Sequence, residues 1–243
     1  MTADRWTQAV RDQLGLGRLL PLGGPLDGAW IAEGAAGAVL RRAAAEVPGV
    51  RLGALRIALA DPQDVDDPVV PAPPSALPPG PLRLTAEVAA TAAEPLPVTT
   101  SRLRTALATA AEQRLGLTVA EVDLRVTELL DAETEAGEVR SPEPPRAREA
   151  TGPDEARAAA AALAVPGVTH LTGTLGGLGR AVYIEDARQD PARSASLPHR
   201  HVRVEVAVSG DHRPLDVARQ VRPAVGEALD DHPTVAVLVT TVG

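Results

Sequence analysis

The chain has 243 residues, a mass of 25.1 kDa and a formal net charge of -8, and 44% of its residues are apolar. This apolar content is sufficient to bury a core and excludes wholesale disorder, and the length accommodates one large domain or two smaller ones. The absence of cysteine excludes disulfides, a thiol nucleophile and cysteine-ligated metal centres.

The N-terminal segment, residues 1–28, combines helical spacing with a short apolar tail. Its apolar residues include Trp6, Val10, Leu14, Leu19, Leu20 and Leu22. We predict an amphipathic helical segment that docks on the module after it; the alternative is a contact with a partner or a membrane-associated anchor. Its cations are Arg5, Arg11 and Arg18, with acids between them, so we expect no direct membrane insertion.

The N-terminal segment also bears on the cellular compartment of the protein. Asp4 and Asp12 fall where a signal peptide needs an uninterrupted apolar core. No later stretch reaches the roughly 18 apolar residues of a membrane span. We therefore expect a soluble cytoplasmic protein, with a membrane-proximal position through a partner as the alternative.

A helix, an extended segment and a proline-rich insert come next. Residues 31–50 predict an alanine-rich helix that ends at Pro48 and Gly49, and RLGALRIAL follows as extended chain. Residues 61–81 are so rich in proline that a helix or an inner strand is excluded. We expect this stretch to be an insert between two strands.

After the insert, alternation of apolar and polar residues predicts a half-buried strand. Its apolar face consists of Leu84, Ala86 and Val88, and its polar face of Arg83, Thr85 and Glu87. A helix follows with apolar residues four apart, at Leu103, Leu107, Ala111 and Leu115. The closing strand, TVAEVDLRVTEL, begins at Thr118.

Residues 131–153 mix charge with proline and separate these elements from a second, similar set. The helix PDEARAAAAALAVPGV ends at Pro166 and Gly167, 118 positions after its counterpart, and THLTGTLGGLGRAVYIED follows as extended chain. A third linker, residues 186–198, leads into the next strand. The three stretches are the predicted linkers and inserts of the chain.

The second set closes with the same strand, helix and strand. The first strand has Val202, Val204, Val206 and Val208 on one face and His201, Arg203 and Glu205 on the other. The helix carries Val217, Val221, Val225 and Leu229, at an offset of 114 from the first helix. TVAVLVTTV, from Thr234, is apolar on both faces, which predicts an interior strand or one covered by another layer.

Five elements thus recur in the same order at offsets of 114 to 118, which indicates a tandem duplication. We predict an α+β fold with two tandem α-β-β-α-β modules, whose small mixed sheets are each covered by helices on one face and pack as a pseudo-dimer. The predicted modules are residues 29–130, with 61–81 as an insert, and residues 154–243.

These motifs resemble the alkaline shock protein family of Gram-positive bacteria, most closely in GLTVAEVDLRVTEL, residues 116–129. The resemblance covers both modules. It implies a small non-enzymatic cytosolic protein, linked to envelope stress and in some members held near the membrane by a partner, and it supplies no catalytic residue. The family usually has one copy per chain and lacks the long proline insert. The opening RDQLGLGRLLPLGG also resembles actinobacterial proteins labelled as a nucleopolyhedrovirus family.

The histidines are candidate metal ligands. They are His170, His199, His201, His212 and His232. His199 and His201 would share one strand face, a spacing that zinc sites use, but the sequence marks no third ligand, so we predict solvent-facing histidines and no metal site. Asp211 with His212, and Asp231 with His232, flank a helix, where we expect turn and cap residues.

A glycine-rich run and several serines are the other candidates. GTLGGLGR, residues 173–180, has the composition of a phosphate-binding loop, but a strand rather than a helix follows it, so we predict a hairpin loop. Ser194, Ser196 and Ser209 lack the context of a nucleophile. We assign no catalytic, cofactor-binding or metal-binding residue.

Arginines concentrate in the second module, at Arg200, Arg203, Arg213, Arg219 and Arg222. The acidic chain has only three aromatic residues, so we expect a solvated charged face and no nucleic-acid binding. We predict a non-catalytic scaffold or adaptor that acts through protein–protein contacts, with a membrane-anchored partner and self-association left open. The alternatives are a metal-dependent enzyme using the histidine-rich half and a nucleic-acid-binding module.

Overall fold

The computed structural model describes residues 18–131, 139, 141–174, 179–185 and 200–243. Over these residues the chain has the predicted α+β fold, with helices packed on two small mixed sheets. None of the described helices has the length and apolar character needed to cross a bilayer.

The first module has the predicted order of elements. They are α1 (Glu33–Ala45), β3 (Val50–Leu59), β4 (Leu82–Thr91), α2 (Leu96–Thr109) and β5 (Val119–Leu130). α2 continues into a π-helical turn, Ala110–Leu115, which ends at Gly116 with a φ of 94°. β3 pairs antiparallel with β4, and β4 pairs parallel with β5 across α2.

The second module repeats this topology. Its elements are α3 (Pro153–Leu163), β6 (Val168–Leu171), β7 (Val182–Glu185), β8 (His201–Val208), α4 (Pro214–Glu227) and β9 (Thr234–Val242). β6 and β7 both pair antiparallel with β8, and β8 pairs parallel with β9 across α4. α1 packs on β9 and on the π-helical turn, so the two modules contact each other directly.

Fine details of the strand registers also recur. In each module the parallel strand pair contains a bulge at a threonine, Thr127 in β5 and Thr240 in β9, directly after a pair of valines. Bulges in parallel pairs are rare, so two at the same step support the duplication. Gly49 and Gly167, after the first helix of each module, both have positive φ angles, 72° and 92°, which favour glycine.

The residues at which the second helices begin show that one predicted match between the modules is wrong. α2 begins at Leu96 and α4 at Pro214, so the offset of the second helices is 118 rather than 114. Leu103 therefore corresponds to Val221, not to Val217. The offset falls to 113 at the bulged threonines, and both the π-helical turn and a second register shift in β5, after Val119, add residues to the first module before this point.

Burial confirms most of the predicted apolar faces. Leu84, Ala86 and Val88 are buried on β4, whereas Thr85 and Glu87 are exposed. Every apolar helix position predicted in α2 with its π-helical turn, and in α4 with its following turn, is buried. β9 is buried on both faces from its second residue to its seventh, as its sequence predicts.

The prediction of a helical N-terminal segment is wrong for its described part. Residues 19–21 form β1 (Leu19–Pro21), which pairs with β2 (Ala29–Ala32), and β2 pairs parallel with β9. The hairpin therefore extends the sheet of the second module, because it satisfies the backbone groups along the edge of β9. It also contacts the first module, where Arg18 pairs with Glu33 (3.1 Å) and the Gly23 N–H donates to the Gly116 carbonyl (2.9 Å). Trp6, Val10 and Leu14 lie outside the described residues.

The proline-rich insert, residues 61–81, contains no helix and no regular strand, as predicted. It nevertheless forms hydrogen bonds with strands of the second module's sheet. The Leu77 N–H donates to the Leu19 carbonyl (2.8 Å), and the Trp30 indole N–H donates to the Leu77 carbonyl (3.2 Å). The insert is thus a strap from the first module to the N-terminal hairpin.

The described part of the middle linker is also packed. The Ala147 N–H donates to the Leu171 carbonyl (3.0 Å), and the Arg148 N–H donates to the Gly179 carbonyl (2.7 Å). This segment therefore lies along the outer edge of β6. Residues 132–138 and 140, and the predicted linker 186–198, lie outside the described residues.

Candidate interaction surface

A groove in the first module lies between the C-terminal end of α1 and the first turns of α2. It is open to solvent and has a volume of about 750 Å³. Its lining residues are Glu46, Val47, Pro48, Pro97, Val98, Ser101, Arg102, Thr105 and Ala106. The volume lies within the range of ligand-binding clefts, roughly 300–1,000 Å³.

Prolines shape both walls of this groove. Pro48 follows α1 and leads, through Gly49, into β3, while Pro97 lies in the first turn of α2, where its missing N–H costs no helical hydrogen bond. Val98 beside it is 50% exposed, although the next residue, Thr99, is buried. The groove therefore presents rigid apolar surface that is already formed.

The charged residues near the rim are paired within the chain. Both carboxylate oxygens of Glu46 accept hydrogen bonds from Arg114, each at 2.9 Å. These bonds lower the pKa of the Glu46 carboxyl below its ordinary value. Arg102 forms an ion pair with Glu94. These pairings leave the apolar walls as the main feature that a partner would meet.

The corresponding place in the second module is different. Counting from the helix starts, the counterpart of Val98 is Asp216, which forms ion pairs with Arg213 (3.4 Å) and Arg219 (3.9 Å). His212 fills the space beside Gly167, since a Cβ at Gly167 would lie 2.8 Å from its ring. The two modules thus differ at this place, where the first presents the apolar Val98 and the second the ion-paired Asp216.

The structure corrects the prediction of solvent-facing histidines. His201 is 7% exposed, and its Nδ1 lies 2.9 Å from the Thr234 hydroxyl. Burial lowers the pKa of His201 below its ordinary value, and the charge of Arg203 contributes in the same direction. Glu185 of β7 and Thr234 of β9 lie directly opposite His201 in the strand registers and flank it on the same face of the sheet. His199 lies outside the described residues.

The remaining histidines do not converge. His212 and His232 lie in turns, with backbone N–H groups that donate to the Ser209 and Leu229 carbonyls at 3.1 and 3.2 Å, as predicted for residues flanking a helix. His170 lies on β6. In the part of the chain that the structure describes, no three histidine, aspartate or glutamate side chains are placed to hold a metal ion.

The five arginines of the predicted basic patch contact other groups of the chain. Arg200 pairs with Asp154 and Asp231, Arg213 donates to the Glu112 carbonyl, Arg219 pairs with Asp27, Arg222 donates to the Leu26 and Asp27 carbonyls, and Arg203 lies over the Tyr183 ring. Several of these contacts tie the second module to the first module or to the N-terminal hairpin. The arginines are therefore engaged with protein groups and form no free basic stripe among the described residues.

Glu205 is a residue whose role the sequence did not predict. Its alternation in β8 placed it on a solvent face, but it is fully buried. Its carboxylate accepts a hydrogen bond from the Thr174 N–H (2.8 Å). Burial raises the pKa of Tyr183 above its ordinary value, and the nearby Glu205 charge adds to this effect.

An expanded bulge explains this burial. In β3 the register shifts between Leu52 and Leu55, whereas in the second module the equivalent shift separates Leu171 from Val182. The backbone of Glu205 bonds to both ends of the expanded loop, at Thr172 (3.2 Å) and Ala181 (2.9 Å).

The predicted glycine-rich hairpin is wrong for the same reason. β6 and β7 run one after the other along the same edge of β8 and do not pair with each other. Residues 175–178 lie outside the described residues. The extra length of the glycine-rich run, relative to RLGALRIAL, is the signal that could have revealed the loop.

Comparison with known proteins identifies no relative from which a function can be transferred. No family model matches the chain, and no curated protein matches it. The resemblance to alkaline shock proteins therefore stays a prediction, and the candidate surface rests on the geometry of this chain.

Proposed function

We propose that this protein is a non-catalytic cytoplasmic scaffold or adaptor that binds a protein partner in the groove of its first module. The observation that carries this proposal is the open apolar groove between α1 and α2, in which Val98 is 50% exposed. Apolar surface that is already formed and half-exposed is typical of sites that bind another chain. The second module has paired charges and a packed histidine at the corresponding place.

The groove favours a segment with apolar side chains. Glu46 and Arg102 at its rim already have ion-pair partners in the chain, so they offer little net charge to a ligand. A short helix or an extended peptide that inserts aliphatic side chains between Pro48 and Val98 matches this chemistry. The partner supplies most of the gain in affinity by removing these side chains from water.

The resemblance to the alkaline shock protein family supports the same class of function. It adds an association with envelope stress and a partner that is anchored at the membrane. In this view the protein itself is cytoplasmic and reaches the membrane surface only through that partner.

Affinity capture from native lysate, with mass spectrometry, tests the proposal. Val98→Glu places a charge in the groove and is expected to abolish capture of the partner. Leu163→Glu is the matched control, because Leu163 lies at the end of α3 and is 48% exposed. A partner that both variants retain, or both lose, contradicts the groove as the binding site.

Two further results would favour the alternative functions. Stoichiometric zinc or iron in the purified protein, lost on His199→Ala and His201→Ala, would support a metal-dependent enzyme and contradict the scaffold. Nucleic-acid binding that weakens steeply with salt would support the third class. We expect neither, because His201 is buried against Thr234 and the five arginines of the predicted basic patch contact groups of this chain.

A further inference from the structure

At three outer sheet edges, backbone groups bond to other parts of the chain. At β3, the Ile57 N–H donates to the Glu33 carboxylate (3.2 Å) and Arg18 donates to the Ile57 carbonyl. At β1, the strap bonds to Leu19, and at β6 the middle linker bonds to Leu171. These contacts occupy backbone groups that would otherwise pair with another strand.

The outer edge of β5 is different. β5 is twelve residues long and is the last strand of its sheet. Within the described residues, its outward backbone groups receive one hydrogen bond, from Nε of Arg104 to the Val122 carbonyl (3.0 Å). Every side chain of β5 is exposed or half-buried. An uncovered edge of this length is a surface on which a further strand can pair.

The contact with Arg104 shows which backbone groups face outward. The Val122 carbonyl points away from β4, and Leu124 and Val126 share this orientation because backbone direction alternates along a strand. Side chains alternate as well, so these three apolar residues share one face. Asp123 and Arg125 lie on the opposite, polar face.

We propose that β5 pairs antiparallel with β5 of a second copy of this chain, about a two-fold axis at Leu124. In this register Val122 lies opposite the second copy's Val126, and Leu124 lies opposite the second copy's Leu124. Asp123 lies opposite the second copy's Arg125, and the same ion pair forms again across the axis. The two three-stranded sheets then join into one continuous sheet.

Charge selects this register over its neighbours. A shift of the axis to Asp123 places two aspartates opposite each other, and a shift to Arg125 places two arginines opposite each other. Like charges directly opposite destabilise a strand pair, whereas opposite charges and apolar pairs stabilise it. With the axis at Leu124, the charged positions fall at pairs without mutual backbone hydrogen bonds, where side chains approach most closely.

The two charged side chains are available for this contact. Arg125 is exposed and forms no ion pair within the part of the chain that the structure describes. Asp123 is exposed and lies 3.7 Å from Arg83, which makes its shorter contact, at 2.6 Å, with Glu121. Arg104 is exposed, so its side chain can move aside when the Val122 carbonyl accepts a backbone N–H from the second copy. The interface does not use the groove, so it stands or fails independently of the proposed partner site.

Charge reversal with sedimentation of the full chain tests the proposal. The wild-type chain is expected to dimerise. Asp123→Arg and Arg125→Asp each replace two attractive pairs by two repulsive ones, which should weaken the dimer roughly tenfold or more. The double variant restores both ion pairs in the opposite sense and should recover the dimer. A wild-type chain that is monomeric at all concentrations, or a dimer unaffected by both single reversals, overturns the proposal.

A cysteine at the axis gives a second readout that does not depend on affinity. The chain has no native cysteine. In the proposed pair, the Cα atoms at position 124 lie about 5.5 Å apart, within reach of a short crosslinker that joins two thiols. Leu124→Cys should therefore form a linked dimer when treated with such a crosslinker, whereas Thr85→Cys, exposed on the central strand β4, should not. Equal linkage of the two variants, or none at position 124, contradicts the interface.

Discussion

Glu205 and Glu87 occupy equivalent positions in the two modules but opposite environments. Each lies one residue before the valine of the bulged parallel pair, Val206 or Val88. Glu205 is fully buried, whereas Glu87 is exposed. Replacing each glutamate by alanine therefore measures how much the contact between Glu205 and the expanded loop contributes to the free energy of unfolding.

The expected effects differ in magnitude. Glu205→Ala removes a charged acceptor and leaves the N–H of Thr174, a residue that is 2% exposed, without its partner. A hydrogen bond to a charged group contributes about 1.5–3 kcal/mol, and an unpaired buried polar group costs a similar amount. Because these effects overlap, we expect a loss of about 2–4 kcal/mol in the free energy of unfolding. Glu87→Ala should change it by less than about 0.5 kcal/mol.

Urea unfolding followed by circular dichroism measures both values. Hydrogen exchange provides a local readout, because amide protection around Thr174 should fall in Glu205→Ala and remain unchanged in Glu87→Ala. Similar unfolding energies for the two variants would refute the reasoning. The loop would then be held by contacts that do not involve the Glu205 carboxylate.

Three further predictions concern the strap, the buried histidine and the middle linker. Trp30→Phe removes the hydrogen bond to the Leu77 carbonyl and leaves a cavity where the fully buried indole lay, so it should destabilise the fold by about 2–3 kcal/mol, with faster hydrogen exchange in the strap. The folded state lowers the pKa of His201 below 6.5, so the unfolded chain takes up the proton first and stability should fall as pH drops below 6.5. His201→Gln should reduce this slope, leaving the part contributed by His170, whose pKa burial also lowers. Limited proteolysis should cut first within the middle linker, residues 131–153, and a first cut inside α2 would contradict the module boundary.

The duplication could be predicted because it depends on local patterns. Helix ends at Pro-Gly, apolar residues at a spacing of four and alternation along strands are all set by neighbouring residues. The buried positions Leu107 and Val225 follow from such spacing alone. The one-turn error in matching the helices arose because a spacing of four fits equally well when shifted by four residues.

The remaining features depend on contacts between distant parts of the chain. Leu19 and Leu20 form a strand because β1 pairs with β2, which in turn pairs with β9, about 200 positions later in the chain. β1 has only three residues, too few to show a period in the sequence. Alternation in β8 showed that one face is polar but not that a loop covers Glu205. The groove depends on the half-exposed Val98, whose burial the helical spacing of α2 does not specify.

Site-specific photocrosslinking in native lysate tests the central claim, that the first module's groove binds the partner. A photoreactive residue at position 98 is compared with one at its counterpart, position 216, because Val98 and Asp216 are both exposed. We expect one adduct of defined mass from position 98 and none from position 216. Equal labelling from both positions, or labelling from position 216 alone, would contradict the assignment of partner binding to the first module.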